Sequence, residues 1–246
     1  MKNILLPTDF SANSRNAIVY ALHLYKEEVC EFTLLHSYEV DGYLEGSSLV
    51  PIPNAKSFST KKELVENELK EFLGNLVEEH VNSNHRFRVF TGNLALTAFI
   101  NKTVRSSNCD LVVIGTQGIT SSANVAFGAN TQRIIKKVTS CPILAIPSHV
   151  TFSKPKEIVL ASGFKTVPRP EDYVFISNLV KQHNSQLKIL FIDDGGGLSS
   201  GQDKNKELLM ELLEDTPLSF HSLTHVPIPV GVYCFTESLS KVIFWL

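Results

Sequence analysis

Residues 109–140 read "CDLVVIGTQGITSSANVAFGANTQRIIKKVTS", three physical patterns in succession. "LVVI" is a continuous apolar run of the kind covered on both faces of a parallel sheet. "TQRIIKKVTS" spaces its apolar residues as a helix does. Between them lie Gly115, Gly118 and Gly128, separated by two and then nine residues. A strand that passes through bare backbone into a helix is the junction where open parallel sheets form ligand crevices. Glycine there admits positive φ and lets a ligand approach the main chain without an intervening Cβ. After Gly128 the chain enters "ANTQRIIKK", a helix N-terminus whose unpaired N–H groups and positive dipole end suit phosphate. The dinucleotide pattern GxGxxG and the P-loop GxxxxGK[ST] are both absent. By itself the loop therefore serves either phosphate binding or turn geometry.

The same alternation extends in both directions. "NILLP" (3–7) predicts a strand, and "SANSRNAIVYALHLYKEE" a helix with Ala17, Ile18, Ala21, Leu22 and Tyr25 on one face and Ser11 or Asn13 as N-cap. "EFTLLHS" (31–37) predicts a second strand, followed by a loop rich in Gly, Pro and Ser over 41–59. Residues 60–81 predict an amphipathic helix with Leu64, Leu69, Phe72, Leu73, Leu76 and Val77 as its stripe. "FRVFTG" (87–92), a helix over 94–107, "DLVVIG", the helix after Gly128 and "PILAIP" (142–147) complete the set. Strands joined by helices imply right-handed crossovers and a parallel sheet. Residues 1–148 thus read as one α/β domain, an open five-stranded parallel sheet with helices on both faces.

Residues 149–156, "HVTFSKPK", read as a linker, after which the order of elements restarts. "EIVLAS" echoes "KNILLP", "RPEDYVFISNLVKQHN" is a helix, "LKILFID" echoes "FTLLHSY", and "DKNKELLMELLED" is a shorter helix. "LSFHSL" stands where "FRVFTG" stood, and "KVIFWL" (241–246) where "DLVVIG" stood. Residues 157–246 are expected to be an incomplete copy of the first domain, without its phosphate loop and last strand, either naturally or through a truncated reading frame. "DDGGGLSSGQD" (193–203) reads as a second glycine loop or as a flexible surface connection.

With 43% hydrophobic and 20% charged residues and a net charge of −2, the chain has no basic footprint for nucleic acid or an anionic membrane. No apolar run approaches the ~18 residues of a membrane span, and "MKNILLPTD" is too short in apolar residues for a signal segment. The expectation is a cytoplasmic protein. Its four scattered cysteines form no CxxC pair and are expected to be buried, reduced thiols. The eight histidines show no metal-ligand spacing. His36 ends a strand and either approaches the crevice or packs locally. No metal site, Ser–His–Asp grouping or other catalytic set emerges, so the chain is not expected to be an enzyme. Slow hydrolysis of a phosphate compound held at the loop stays open.

By the logic of open sheets, the second wall of the crevice is the end of the first strand, "LPTDFS". Asp9 lies there, either as a carboxylate accepting from ribose or adenine or as a helix cap. At this point "GTQGITSSANVAFGANT" resembles the G-2x-G-9x-G-[ST] loop of the universal stress protein (UspA-like) family. "NILLPTDFSANSRNAIVYA" resembles that family's opening strand, aspartate and helix, and "CPILAIP" its closing strand. In the second half only the order of elements survives, as in a tandem protein with a degenerate second domain.

The resemblance implies sheet order 3-2-1-4-5, ATP with or without magnesium between the first and fourth strand ends, and dimers along the fifth strand. Pro7, Thr8 and Asp9 would line the adenosine side, with Val40 against adenine. Ile114, Gly115 and Gly118 would follow the ribose and α-phosphate, and Gly128, Ala129 and Asn130 would cradle the outer phosphates. Ala129 departs from the family's Ser or Thr, removing a hydroxyl bond worth ~0.5–1.5 kcal/mol, or roughly threefold to tenfold in affinity. Asn130 or Thr131 are the candidates to replace it. Two functions follow: an adenine-nucleotide-binding stress-response signalling module, one nucleotide per chain, or a scaffold that acts through protein–protein contacts. Its protein partners are unknown, and it pairs either as a homodimer or between its own domains.

Overall fold

β1 (Lys2–Pro7) lies in the middle of a five-stranded sheet because three consecutive side chains, Ile4, Leu5 and Leu6, are each at most 1% exposed. Alternate residues of a strand face opposite sides, so burial of all three requires cover on both faces. The computed structural model describes residues 1–40, 43, 45, 54–117, 128–193, 195–237 and 241–245. Two units emerge, Met1–Phe152 and Ser153–Leu246.

In the first unit β1 is followed by α1 (Ala12–Leu24), β2 (Cys30–Ser37), α2 (Ala55–Glu79), β3 (His85–Gly92) and α3 (Leu96–Ser106). β4 (Leu111–Gly115), α4 (Ala129–Lys137) and β5 (Ile143–Ile146) complete it. The strands pair in parallel in the order β3-β2-β1-β4-β5, as the resemblance implies. One sheet face, with Leu5, Leu35, Val112 and Ile114, packs on Phe99, Ile100 and Val104 of α3 and Ile134 of α4. α1 and α2 pack against the sheet as well, α1 over β4 and β5, α2 over β2 and β3.

Two local expectations change. α2 starts at Ala55, inside the expected loop, because the Asn54 side chain accepts from the Ser57 N–H at 2.8 Å and caps it. Leu64 is 62% exposed, whereas Val65 is 4% exposed and takes its place in the buried stripe with Leu69 and Leu76. Spacing explains this: 65, 69 and 76 share a face at helical period, while 64 lies ~100° away.

The second unit contains β6 (Glu157–Ala161), α5 (Pro170–His183), β7 (Gln186–Asp193) and α6 (Ser200–Leu212). β8 (Leu218–Thr224), α7 (Ile228–Glu237) and β9 (Lys241–Trp245) follow. Its parallel order, β8-β7-β6-β9, is that of the first sheet without the last strand. β9 pairs with β6 from Glu157↔Lys241 to Ala161↔Trp245, so the second sheet is an incomplete repeat of the first. α6 begins earlier than its apolar pattern suggests, because Ser199 and Gln202 form a reciprocal capping box. The sequence pattern does not predict α7. It carries Pro229 in its first turn and Gly231 where an added Cβ would lie 2.8 Å from Ile192 Cδ1. Both residues weaken a helical signature, yet Gly231 lets Val232 reach a cluster with Val159, Ala161 and Leu190.

Candidate functional site

The chain leaves β1 through a tight turn. Phe10 takes a left-handed φ of 62°, a conformation that costs a non-glycine residue about 1–3 kcal/mol. Neighbouring bonds hold it. The Phe10 N–H donates to Thr8 Oγ1 at 3.0 Å, the Ser11 N–H to Asp9 Oδ1 at 3.1 Å, and Thr8 Oγ1 shares a 3.0 Å bond with Ser14 Oγ. His36 Nδ1 donates to the Thr8 carbonyl at 2.8 Å, and its ring lies 4.5 Å from that of Phe10. His36 is therefore a packing residue of the turn. Thr8 is buried with its hydroxyl committed, and one Asp9 oxygen serves the turn into α1. Ser11, not Asn13, is the α1 N-cap.

Asn13 instead joins the two walls. Its Nδ2 donates to the Gln117 carbonyl at 3.0 Å, just beyond β4. A Cβ on Gly115 would lie 2.8 Å from that Nδ2 and 3.1 Å from the Asn13 carbonyl carbon. Glycine at 115 is thus required by the approach of α1, not by a positive φ. Asn13 Oδ1 is buried and has no hydrogen-bond partner among the described residues. Nothing in the local sequence marks this role, since an Asn two residues after a Ser cap reads as a second capping candidate. Gly115→Ala is expected to destabilise the first unit by about 1–3 kcal/mol through overpacking. Urea unfolding checks this, and an unchanged midpoint would show that α1 yields without cost.

The loop between β4 and α4 is pinned at its ends. The Thr116 N–H donates to the Ile146 carbonyl at 3.0 Å, and the Gly128 N–H to the Thr116 carbonyl at 2.7 Å. Gly118 lies outside the described residues. Ile114, near the end of β4, is buried in the core. Gly128 is the N-cap of α4 with φ −63° and ψ 158°, backbone angles open to any residue. No side chain caps this helix among the described residues. Ala129 and Asn130 are exposed on its first turn, and Asn130 Oδ1 accepts from Arg133 Nη1 at 3.4 Å. Thr131 donates its hydroxyl to the Gly115 carbonyl at 3.0 Å, so its proton is already committed. An uncapped N-terminus concentrates N–H donors and positive dipole at one point.

β1 and β4 are neighbours in register Ile4↔Leu111 and Leu5↔Val112, which brings the Pro7–Asp9 turn alongside the Gly115 junction. The chain passes from β1 to β2 on one side and reaches β4 on the other, so this is the topological switch point of the sheet. Val40 packs in a cluster of its own beyond β2. It pairs with Tyr43 through backbone bonds of 3.1 and 2.7 Å and is 2% exposed, packed with Tyr38 and Val65. A surface depression of about 450 Å³ opens between Val40 and the first turns of α2, at Asn54, Ser57 and Lys61.

The glycine run after β7 behaves differently. Asp193 Oδ1 accepts from the Gly195 and Gly197 N–H groups, each at 2.9 Å, with those glycines at φ 107° and 69°. These amides hold the Asp193 carboxyl below its usual range and are filled by the chain itself. Among the described residues no three His, Cys, Asp or Glu side chains are grouped to hold a metal ion, and no helix is long and apolar enough to cross a membrane.

The model of the universal stress protein family matches residues 1–147. A comparison with curated proteins found no match. Among solved structures, a universal stress protein from Archaeoglobus fulgidus DSM 4304 is similar over 99% of this chain and 84% of its own, with TM-score 0.67 and 19% identity. A putative universal stress protein from Pseudomonas aeruginosa UCBPP-PA14 is similar over 99% of this chain and 82% of its own, with TM-score 0.59 and 10% identity. A universal stress protein solved in complex with cAMP is similar over 59% of this chain and 96% of its own, with TM-score 0.40 and 15% identity. At these identities the likeness concerns the fold alone, and for the first two it extends over both halves of the chain.

Proposed function

The chain belongs to the universal stress protein family, and on that premise we propose that its first unit binds ATP or a related adenine nucleotide and acts as a stress-response signalling module. The observation that carries this reading is the uncapped N-terminus of α4 at the β1/β4 switch point. Gly128 adds to it, because its backbone angles do not require glycine, whereas close approach of a phosphate does.

In this reading the Ala129 and Asn130 amides, beside Gly128, receive the outer phosphates. Gly115 and Gly118, with Ile114 beneath, follow the ribose and α-phosphate. Pro7, Thr8 and Asp9 form the adenosine side. Thr8 acts there through the turn it stabilises, and Val40 through the wall it supports next to adenine. Magnesium enters as counter-ion of the phosphates. Binding biases a conformation or a pairing surface, along β5 of a homodimer, that a protein partner in the cytoplasm reads. No bond-breaking step is assigned.

A scaffold reading is favoured by one observation. Ala129 has no hydroxyl and that of Thr131 is donated to Gly115, so no hydroxyl of this turn is left over for phosphate. Calorimetry separates the two readings. The wild-type chain is expected to bind ATP with one site, and Ala129→Ser to tighten it by roughly threefold to tenfold through one added bond. No binding by either protein at millimolar ATP would leave the scaffold function.

A further inference from the structure

Cys109 and Cys141 are 32 residues apart in the chain, yet their sulfurs lie 3.8 Å apart. Cys109 stands two residues before β4 and Cys141 two residues before β5, and the parallel pairing Val112↔Ile143 brings the two segments together. The Cys141 thiol also donates to the Cys109 carbonyl at 3.3 Å, and the Cys109 thiol to the Leu111 carbonyl at 3.2 Å. This edge of the sheet is opposite to the one that carries Gly115 and Gly128. The nucleotide reading does not use it.

We propose that Cys109 and Cys141 are a redox-modification site, a dithiol that a peroxide converts into an intrachain disulfide across the N-terminal ends of β4 and β5. A disulfide needs its sulfurs about 2.05 Å apart, so its formation requires the two side chains to rotate and close the 3.8 Å gap. The roles divide by environment. Cys109 is half-buried, and the hydrogen bond from the Cys141 thiol holds its thiol below the ordinary value. Cys141 is 8% exposed, and the same bond and its burial push its thiol up. Cys109 is the more exposed of the two sulfurs, so a peroxide reaches it first, and as its thiolate it is the nucleophile.

The steps balance. Cys109 sulfur attacks one peroxide oxygen, the O–O bond breaks, and Cys109 sulfenic acid and hydroxide form. Cys141 sulfur then attacks the sulfenic sulfur, the S–O bond breaks, and the Cys141 proton leaves with that oxygen as water. In total two thiols and one hydrogen peroxide give one disulfide and two waters. Neither of the other cysteines forms this pair: Cys30 is buried with its thiol pushed up to about 11, chiefly by that burial, and Cys234, though exposed, is the one cysteine of residues 153–246 and has no second thiol in its own unit. Half-buried Cys109 and exposed Cys234 depart from the expectation of four buried thiols.

The test treats the intact, reduced protein with a small excess of hydrogen peroxide and follows free thiols and peptide mass. The wild-type chain is expected to lose two of its four thiols and to yield one intrachain peptide pair joining Cys109 to Cys141. Cys141→Ser should stop at a Cys109 sulfenic acid that a cyclic 1,3-dione traps, and Cys109→Ser should keep all its thiols. Phenylarsine oxide, which bridges neighbouring thiols, provides a second probe that needs no variant. It should be retained at one equivalent per reduced wild-type chain and lost after mild oxidation. Failure to retain the arsenical, a link formed through Cys234 between chains, or an unresolved sulfenic acid in the wild type would each overturn the proposal.

Discussion

Gly128→Val is expected to weaken ATP binding at least a hundredfold while the first unit stays folded. Gly128 has φ −63° and ψ 158°, a region that valine adopts readily, so the backbone does not oppose the change. Loss of glycine at an N-cap costs at most about 1 kcal/mol. In the proposed site the added isopropyl group stands in the way of a phosphate approaching the Ala129 and Asn130 amides. Two charge-assisted bonds of about 1.5–3 kcal/mol each are then out of reach, which corresponds to at least two decades in affinity. Calorimetry with ATP reads the loss, and thermal unfolding confirms that the fold is kept. If the variant bound ATP like the wild type, the phosphate would not sit at this loop.

Phe32→Ala is expected to have the largest effect on stability. Phe32 is 0% exposed in β2, and its ring lies 4.8 Å from that of His85 and 5.7 Å from that of Phe87. Truncation of such a ring removes transfer energy and leaves a cavity, together about 3–5 kcal/mol. For a unit of this size each kcal/mol moves the midpoint by about 2–4 °C, so a fall on the order of ten degrees should be visible by calorimetry. Leu64→Ala is the matching control. Leu64 is 62% exposed, so the change should stay within about 0.5 kcal/mol. Equal losses in the two variants would mean that the stripe of α2 includes Leu64 after all.

Phe32 shows where pattern reading succeeds. β1 and β4 carry continuous apolar runs because both faces of the sheet are covered, and such runs are visible one strand at a time. The β4–glycine–α4 junction is legible for the same reason: strand, bare backbone and helix follow one another in the chain. What stays hidden is whatever depends on two distant segments. Gly115 looks like a loop glycine, but its lack of a Cβ serves the approach of Asn13. Cys109 and Cys141 look scattered, and only the register of β4 with β5 brings them together. α7 has a proline and a glycine that argue against a helix locally, while tertiary packing of Val232 on Val159 and Leu190 favours one. Leu64 and Val65 differ by a single step of phase, which an apolar count over a window does not resolve.

The most direct test of the central claim is the backbone amide spectrum of the ¹⁵N-labelled chain during addition of ATP. The N–H signals of Ala129, Asn130 and Thr131 are expected to shift strongly and to saturate at one equivalent per chain, with those of Gly195 and Gly197 unmoved. Silence of the three α4 amides at millimolar ATP, or a response confined to the second unit, would contradict it.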